Sequence, residues 1–323
     1  MRALRAAGVE DAVRAEALCL SEGVAWSRGR MLASLRLDDA DAPVLTLPQW
    51  RIEELLRARL SALDPRALRT GTAISGLRES DAGIVMRRTS GEETAECAAR
   101  IVVAADGVRS GIRSALDLGW RQCRGTAHYV MTDAGEVTDL GARAHLFCAA
   151  SGIVESFPLP DHRRRWVARV GTPDTADPET LAAIIRERTG IALTAAPQDS
   201  ASAFTARQHR AARFARGRVV LLGDAAHELS PIGGQGMNLG WIGALRLAPE
   251  IRRALRDDRA DFRRYERRQQ RSAGRARRRA RFNMAMGRPV RGPVRGLRDL
   301  AARVLGTRPL RGIALRAFTM RGL

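Results

Sequence analysis

Segment 218–240, RVVLLGDAAHELSPIGGQGMNLG, constrains the fold of this 323-residue chain more than any other stretch. Val219 to Leu222 make an apolar run of strand length, the pattern of a strand buried on both faces. The run ends in Gly223-Asp224, and a loop with Pro231, Gly233, Gly234 and Gly236 opens an apolar-periodic helix over about 236–256. Each part has a physical use. Glycines let a ligand approach the backbone closely. The first turn of a helix offers unpaired N–H groups and the positive end of a dipole. A carboxylate at the end of a strand accepts hydrogen bonds from ligand hydroxyls, and α/β sheets bind ligands at the carboxyl ends of their strands.

The remaining chain supplies further strands and helices. Residues 1–18 read as one amphipathic helix, with Leu4, Val9, Val13 and Leu18 on a face. Two strand-like runs in 24–46 are joined by a turn at Arg28, Gly29 and Arg30. A helix over 49–62 follows Pro48, with Ile52, Leu55, Leu56 and Leu60 expected to face inward. Residues 67–103 read as a small antiparallel meander, and 101–105 (IVVAA) as a second strand buried on both faces, leading into Asp106-Gly107. More strands fall in 126–172, and a helix over 178–190 has Gly190 as its cap. An arginine-rich helix over 261–286 is broken by the Gly/Pro segment 287–296, with a shorter helix at 297–305. No internal repeat is visible.

Composition narrows the class. No apolar run approaches the roughly 18 residues of a membrane span. The first residues carry acids and lack a long apolar core, so they make a poor signal peptide, and the cytoplasm is the expected location. Cys19, Cys97, Cys123 and Cys148 form no CxxC pair, and no cysteine or histidine has metal-ligand spacing, so structural thiols and no metal are expected. All 55 basic residues are arginine. Residues 252–323 hold a net charge of +18, and the rest of the chain only +2. The cluster 275–281 (RARRRAR) suits a nucleic acid or an anionic membrane surface by charge, but the tail's few aromatics do not alternate with its arginines as a stacking platform requires. A solvated helix face is the expectation, with nucleic acid disfavoured and peripheral membrane contact left open.

The long motif is similar to the GD motif of the class A flavoprotein monooxygenases, the para-hydroxybenzoate hydroxylase family. The resemblance implies FAD as cofactor, with Gly223 and Asp224 at the ribityl chain. It also implies Pro231 and Gly234 at the flavin edge, and the backbone of Gly236, Met237 and Asn238 on the isoalloxazine ring. Asp106-Gly107-Val108-Arg109-Ser110, continuing to Arg113, resembles the family's DG motif, although Asp106 alone also suits a helix cap. Leu47-Pro48-Gln49, with Glu53 four residues on, resembles the segment whose glutamine contacts FAD. Ser202-Ala203-Phe204, Arg207 and Gly217-Arg218 match the lead-in to the GD strand. The resemblance covers most of 1–285, with 120–200 weakest. Arg51 reads equally as a phosphate contact or a solvated helix residue, and His227 as a structural hydrogen-bonding residue.

The sequence departs from the family in two places. It contains no GxGxxG, the turn that holds the ADP half of FAD on a helix N-terminus. Its first residues resemble the helix that follows that turn, so a βαβ unit of roughly 30 residues or more is expected to be missing. A misassigned start, a split gene with a partner, and a variant that handles FAD differently remain alternatives. Loss of two charge-assisted bonds to the pyrophosphate costs about 3–6 kcal/mol, or roughly 10²–10⁴ in affinity. Gly243 stands where the family usually has aspartate.

The fold class expected is α/β with mixed α+β character: an incomplete Rossmann-like FAD-binding domain, an inserted β-sheet substrate domain and a C-terminal helical segment. The expected divisions are 1–118 and 211–256 for the FAD-binding domain, 119–210 for the substrate domain, whose sheet the strands of 24–46 are free to join, and 257–323 for arginine-rich helices. The resemblance implies a monooxygenase that uses NAD(P)H and O₂ to hydroxylate an aromatic or polyketide-like small molecule through a C4a-hydroperoxyflavin. The flavin carries the chemistry, so no catalytic residue is assigned. The flavin halogenase motif Trp-x-Trp-x-Ile-Pro is absent. The alternative is a truncated or flavin-deficient homologue acting as a non-catalytic binding or accessory protein.

Overall fold

The structure is a computed structural model that describes residues 1–37, 43–81, 83–172, 177–193, 200–230 and 235–318. Its largest element is a seven-stranded sheet in the order Ala201–Ala206, Ala127–Gly135, Arg163–Val170, Ile153–Leu159, Arg143–Cys148, Glu22–Ser27 and Arg30–Arg36. Neighbours are antiparallel except Arg143–Cys148 and Glu22–Ser27, which pair in parallel. The early hairpin, over Glu22–Ser27 and Arg30–Arg36, thus adds two strands to a sheet otherwise built from Ala127 onward. Its turn at Arg28-Gly29 has φ of 52° and 68°, the left-handed pair whose twist suits a two-residue hairpin.

Alternation gives this sheet two apolar faces. Val130, Ala134, Val154, Trp166 and Ala168 pack on the helix Pro178–Thr189 through Leu181 and Ile185. That helix starts where the Asp177 side chain accepts from the Thr180 N–H, and ends at Gly190 with φ of 78°. The opposite face gathers Tyr129, Cys148, Ile153 and Val167 under Met284, from the helix Arg263–Met286.

A second unit is built on a parallel pair, Val102–Ala104 and Val219–Leu221, in the register Val219 to Val102 and Leu221 to Ala104. Ala215–Arg216 extends it antiparallel. The meander Thr72–Ser80, Gly83–Ser90 and Glu93–Ala99 packs alongside, and Ile84, Phe214, Val220, Leu221, Leu247 and Tyr265 share one core with the pair. Full burial of each such side chain contributes about 1.5–3 kcal/mol. Gly83 is fixed by space: a Cβ there would lie 2.4 Å from the Ala99 carbonyl oxygen.

Several expectations need correction. The first helix is two, Arg2–Ala7 and Glu10–Glu16, because Gly8 takes φ of 72° and caps the first; Leu18 begins a short strand with Cys19. Val102 and Ala104 are buried but Val103 is 37% exposed, so this strand is covered on one face only. In the helix Gln49–Leu63 only Ile52 is fully buried, and Leu60 faces solvent. The arginine-rich helix ends at Met286, where the Gly/Pro segment was expected to break it, but the next helix starts earlier than expected, at Gly292, and takes in Pro293. It sits in the first turn of Gly292–Gly306, where its missing N–H costs nothing. The further helix Arg311–Phe318 was not anticipated.

The arginine-rich helix Arg263–Met286 explains its own composition. It packs on the helix Gln235–Arg256 and buries Ala273, Ala276 and Ala280, small residues that allow close approach. Tyr265 donates from its hydroxyl to the Leu221 carbonyl at 2.9 Å, tying the helix to the core strand. Gly292–Gly306 then crosses the strand Arg30–Arg36.

Candidate functional site

Because Val102–Ala104 and Val219–Leu221 run parallel, their carboxyl ends open on the same side. The Leu222 N–H donates to the Ala104 carbonyl at 2.8 Å, so Asp106-Gly107 and Gly223-Asp224 leave the sheet side by side. Gly107 and Gly223 have φ of 79° and 62°, and open space lies where a Cβ would be. Gly240 brings the following helix close: a Cβ there would sit 3.5 Å from the Gly223 Cα.

Arg113 locks the two loops together. It is 6% exposed and donates to the Ala225 carbonyl at 3.0 Å and to the Val108 carbonyl at 2.8 Å. Its guanidinium lies 3.7 Å from the Trp120 ring centroid. Trp120 stacks on His209 at 5.2 Å, and His209 Nδ1 meets Glu228 at 2.6 Å. Burial lowers the Arg113 pKa, opposed by Asp106 and Glu228, and the group stays a cation. The sequence marked Arg113 only as the end of a motif; nothing in it points to the Trp120 platform.

Asp106 serves as a cap with one oxygen, accepting from the Ile112 N–H at 3.2 Å. Its other oxygen has no partner among the described residues, so the capping and ligand readings are compatible. Asp224 is solvent-exposed and its carboxylate has no hydrogen-bond partner among the described residues. Partial desolvation first, and the Glu228 charge second, raise its pKa. At the start of the helix Gln235–Arg256, Gly236 and Asn238 are half-buried and Met237 is 40% exposed. Pro231 and Gly234 lie outside the described residues. Gln49 stands apart in this network, donating to Glu53 at 3.0 Å on the exposed start of its own helix. Arg51 is engaged by acids: it donates to both oxygens of Glu16 at 2.6 and 2.7 Å and to Glu54 at 2.8 Å.

His227 is held from a residue that sequence reasoning missed. The Gln269 amide donates to His227 Nε2 at 3.1 Å and to the Leu239 carbonyl at 3.0 Å. Both amide hydrogens are thereby used, which assigns the imidazole proton to Nδ1. Burial pushes the His227 pKa down to about 4, so the ring is neutral and structural. The same glutamine accounts for Gly243: a Cβ there would lie 3.0 Å from Gln269 Nε2 and from Leu222 Cδ1.

A cavity of about 430 Å³ opens at the end of the large sheet, between Pro48 and Trp50 from the start of the Gln49 helix and Met131, Asp133, Arg163 and Ser202 from the sheet. Arg165 holds Asp133 with two bonds, at 2.7 and 2.8 Å. Among the described residues no cluster of His, Cys, Asp or Glu suits a metal ion.

Comparison with known proteins places this geometry. A profile of the FAD binding domain family matches residues 1–280. The chain is 32% identical over 223 residues to a rifampicin monooxygenase of Streptomyces venezuelae, covering 66% of this chain and 45% of that protein. It is 31% identical over 258 residues to the 12-dehydrotetracycline 5-monooxygenase/anhydrotetracycline 6-monooxygenase of Streptomyces rimosus, covering 74% and 50%. The chain therefore spans about half the length of these curated relatives. Among solved structures, p-nitrophenol 4-monooxygenase from Pseudomonas putida superposes with a TM-score of 0.83 at 21% identity, over 100% of this chain and 87% of that one.

Proposed function

Since the chain belongs to the FAD binding domain family of class A flavoprotein hydroxylases, we propose that it forms the ring-binding and substrate-facing part of an FAD-dependent monooxygenase. In this reading NAD(P)H and O₂ are co-substrates, and an aromatic or polyketide-like small molecule is hydroxylated. One observation carries the reading: an exposed Asp224 carboxylate, without a partner among the described residues, beside two open glycine turns at the ends of parallel strands. That arrangement suits a ligand with hydroxyl donors on a flexible chain and a flat ring pressed against backbone.

In this assignment Asp224 and Gly223 accept the ribityl end, Asp106 and Gly107 close the adjoining side, and the backbone of Gly236, Met237 and Asn238 faces the ring. Pro231, Gly234 and Gln49 complete the contact set implied by the family. When bound, FAD supplies electron transfer from NAD(P)H and activation of O₂. The chain's own residues orient: Arg113 fixes the spacing of the two loops, and the sheet face beside Trp50 and Met131 offers the substrate a wall of mixed apolar and polar side chains. A cavity of about 430 Å³ is of the size that takes a small polycyclic ligand.

The test is turnover. Protein supplied with FAD should consume NAD(P)H and O₂ and release a hydroxylated product with at least one member of a panel of phenols and polycyclic aromatics. A folded, colourless protein that takes up no flavin and is inert with every member overturns the reading in favour of an accessory binding protein.

A further inference from the structure

The face of the seven-stranded sheet that packs on the helix Arg263–Met286 carries a carboxyl group that no described residue neutralises. Glu155 is 5% exposed and lies on the strand Ile153–Leu159, opposite Val167 on one neighbour and Leu146 on the other. Strand alternation puts it on the face of Ile153, Tyr129, Cys148 and Val167, an apolar cluster. It has no hydrogen bond or ion pair among the described residues. Tyr129 is fully buried, its hydroxyl has no partner among the described residues, and it feels the Glu155 charge. Both amide atoms of Asn283, one residue before Met284 on the covering helix, are also buried without a partner among the described residues.

Buried polar groups normally find partners, because leaving them bare costs folding free energy. Glu155 and the Tyr129 hydroxyl, on one side of one sheet, mark a place where a ligand supplies the partner. The cavity reaches the same face: Met131 lines it and is in one cross-strand row with Val167 and Glu155. At the usual strand spacing Glu155 lies about 10 Å from Met131, within the length of a fused aromatic system.

We propose that Glu155 is a specificity-determining acceptor that selects aromatic ligands bearing a hydroxyl or amino donor, with the Tyr129 hydroxyl beside it. This assignment rests on the reading of the chain as the substrate-facing part of an aromatic hydroxylase. Burial pushes the Glu155 pKa up to about 7, so its acceptor strength rises as the pH passes neutrality. The other ionisable groups on this side include Arg163, Arg165 with Asp133, Arg169, which donates to the Met284 carbonyl, and Cys148. Arg298 and Asp299 approach from the helix Gly292–Gly306, where Arg298 donates to the Cys148 carbonyl at 2.6 Å.

The probes are 1-naphthol, which has a donor, and 1-methoxynaphthalene, which has none; the readout is fluorescence titration, without flavin. Wild type should prefer 1-naphthol by roughly tenfold or more, the range of a hydrogen bond to a charged group, and the preference should grow above neutral pH. Glu155→Leu should lose the preference while keeping or raising the melting temperature, since a bare buried carboxyl is removed. Glu155→Gln should keep part of it and lose its pH dependence. Equal affinity for the two probes, no binding of 1-naphthol, or an undiminished preference in Glu155→Leu overturns the assignment. The two readings fail separately. A chain that selects 1-naphthol through Glu155 but takes up no flavin contradicts only the monooxygenase, and flavin-dependent turnover without Glu155-dependent selection contradicts only this assignment.

Discussion

At the scale of single residues, the sequence was most informative where chemistry demands one residue type and least where a long-range contact decides. Asp224 and the glycines around it stand out in the sequence because a strand ending in Gly-Asp before a glycine-rich loop has few other uses. Gly243 does not, because its reason lies 26 positions on, in the buried Gln269 amide that serves His227 and Leu239. Gly243→Asp should force Gln269 or Leu222 aside and destabilise the fold by about 1–3 kcal/mol, read as a lowered denaturation midpoint; an unchanged midpoint contradicts the packing described. Two buried groups give opposite pH slopes. His227 has a folded pKa of about 4 against an ordinary 6.5, so the unfolded chain binds the proton between these values. Its contribution is full above 6.5 and lost as pH falls towards about 4. Glu155 has a folded pKa of about 7 against 4.5, so its contribution is full below 4.5 and lost as pH rises through about 7. Glu155→Gln should therefore be more stable than wild type in alkaline buffer, by about 3 kcal/mol at most, and lose that advantage in acid. Denaturation curves at both pH values check it, and a gain that does not depend on pH contradicts it.

At the scale of elements, periodicity located the parallel strands and the long helices but not the joints between them. The break at Gly8 and the helix start at Pro293 turn on single backbone angles that an apolar pattern averages over. The exposure of Val103 shows the same limit: an apolar run fixes the strand, and the neighbours decide which face is covered. Arg113 is the element-level counterpart of the motif. It spans from the loop after one parallel strand to the loop after the other, resting on Trp120. Arg113→Lys keeps the charge and loses the paired donors to Val108 and Ala225. It should weaken flavin uptake several-fold more than it lowers stability in flavin-free protein. Equal flavin affinity in the two proteins contradicts a role for Arg113 in spacing the loops.

At the scale of the whole molecule, the charge imbalance of the sequence becomes a surface. The arginine-rich helix keeps its alanine side against the core and most of its arginines exposed, with Arg277 and Arg279 half-buried, and no helix among the described residues is long and apolar enough to cross a membrane. The joining of the early hairpin to the seven-stranded sheet was open in the sequence, because strand pairing over more than a hundred residues leaves no local trace. The strand Val102–Ala104 forms one edge of its sheet, with Val103 facing out. Val103→Lys should reduce self-association at high concentration, seen by light scattering, since a charge on an exposed edge opposes strand addition; unchanged scattering contradicts that view of the edge. The central claim is that the paired loops form the ring and ribityl end of a flavin site. Titrating the chain into FAD and into riboflavin, followed by flavin fluorescence, tests it most directly. A saturable change is expected with both ligands, with a roughly 10- to 100-fold weakening in Asp224→Ala, the loss of hydrogen bonds to a charged group. A protein that leaves both flavins unaltered, or whose Asp224→Ala variant binds them as wild type does, would contradict it.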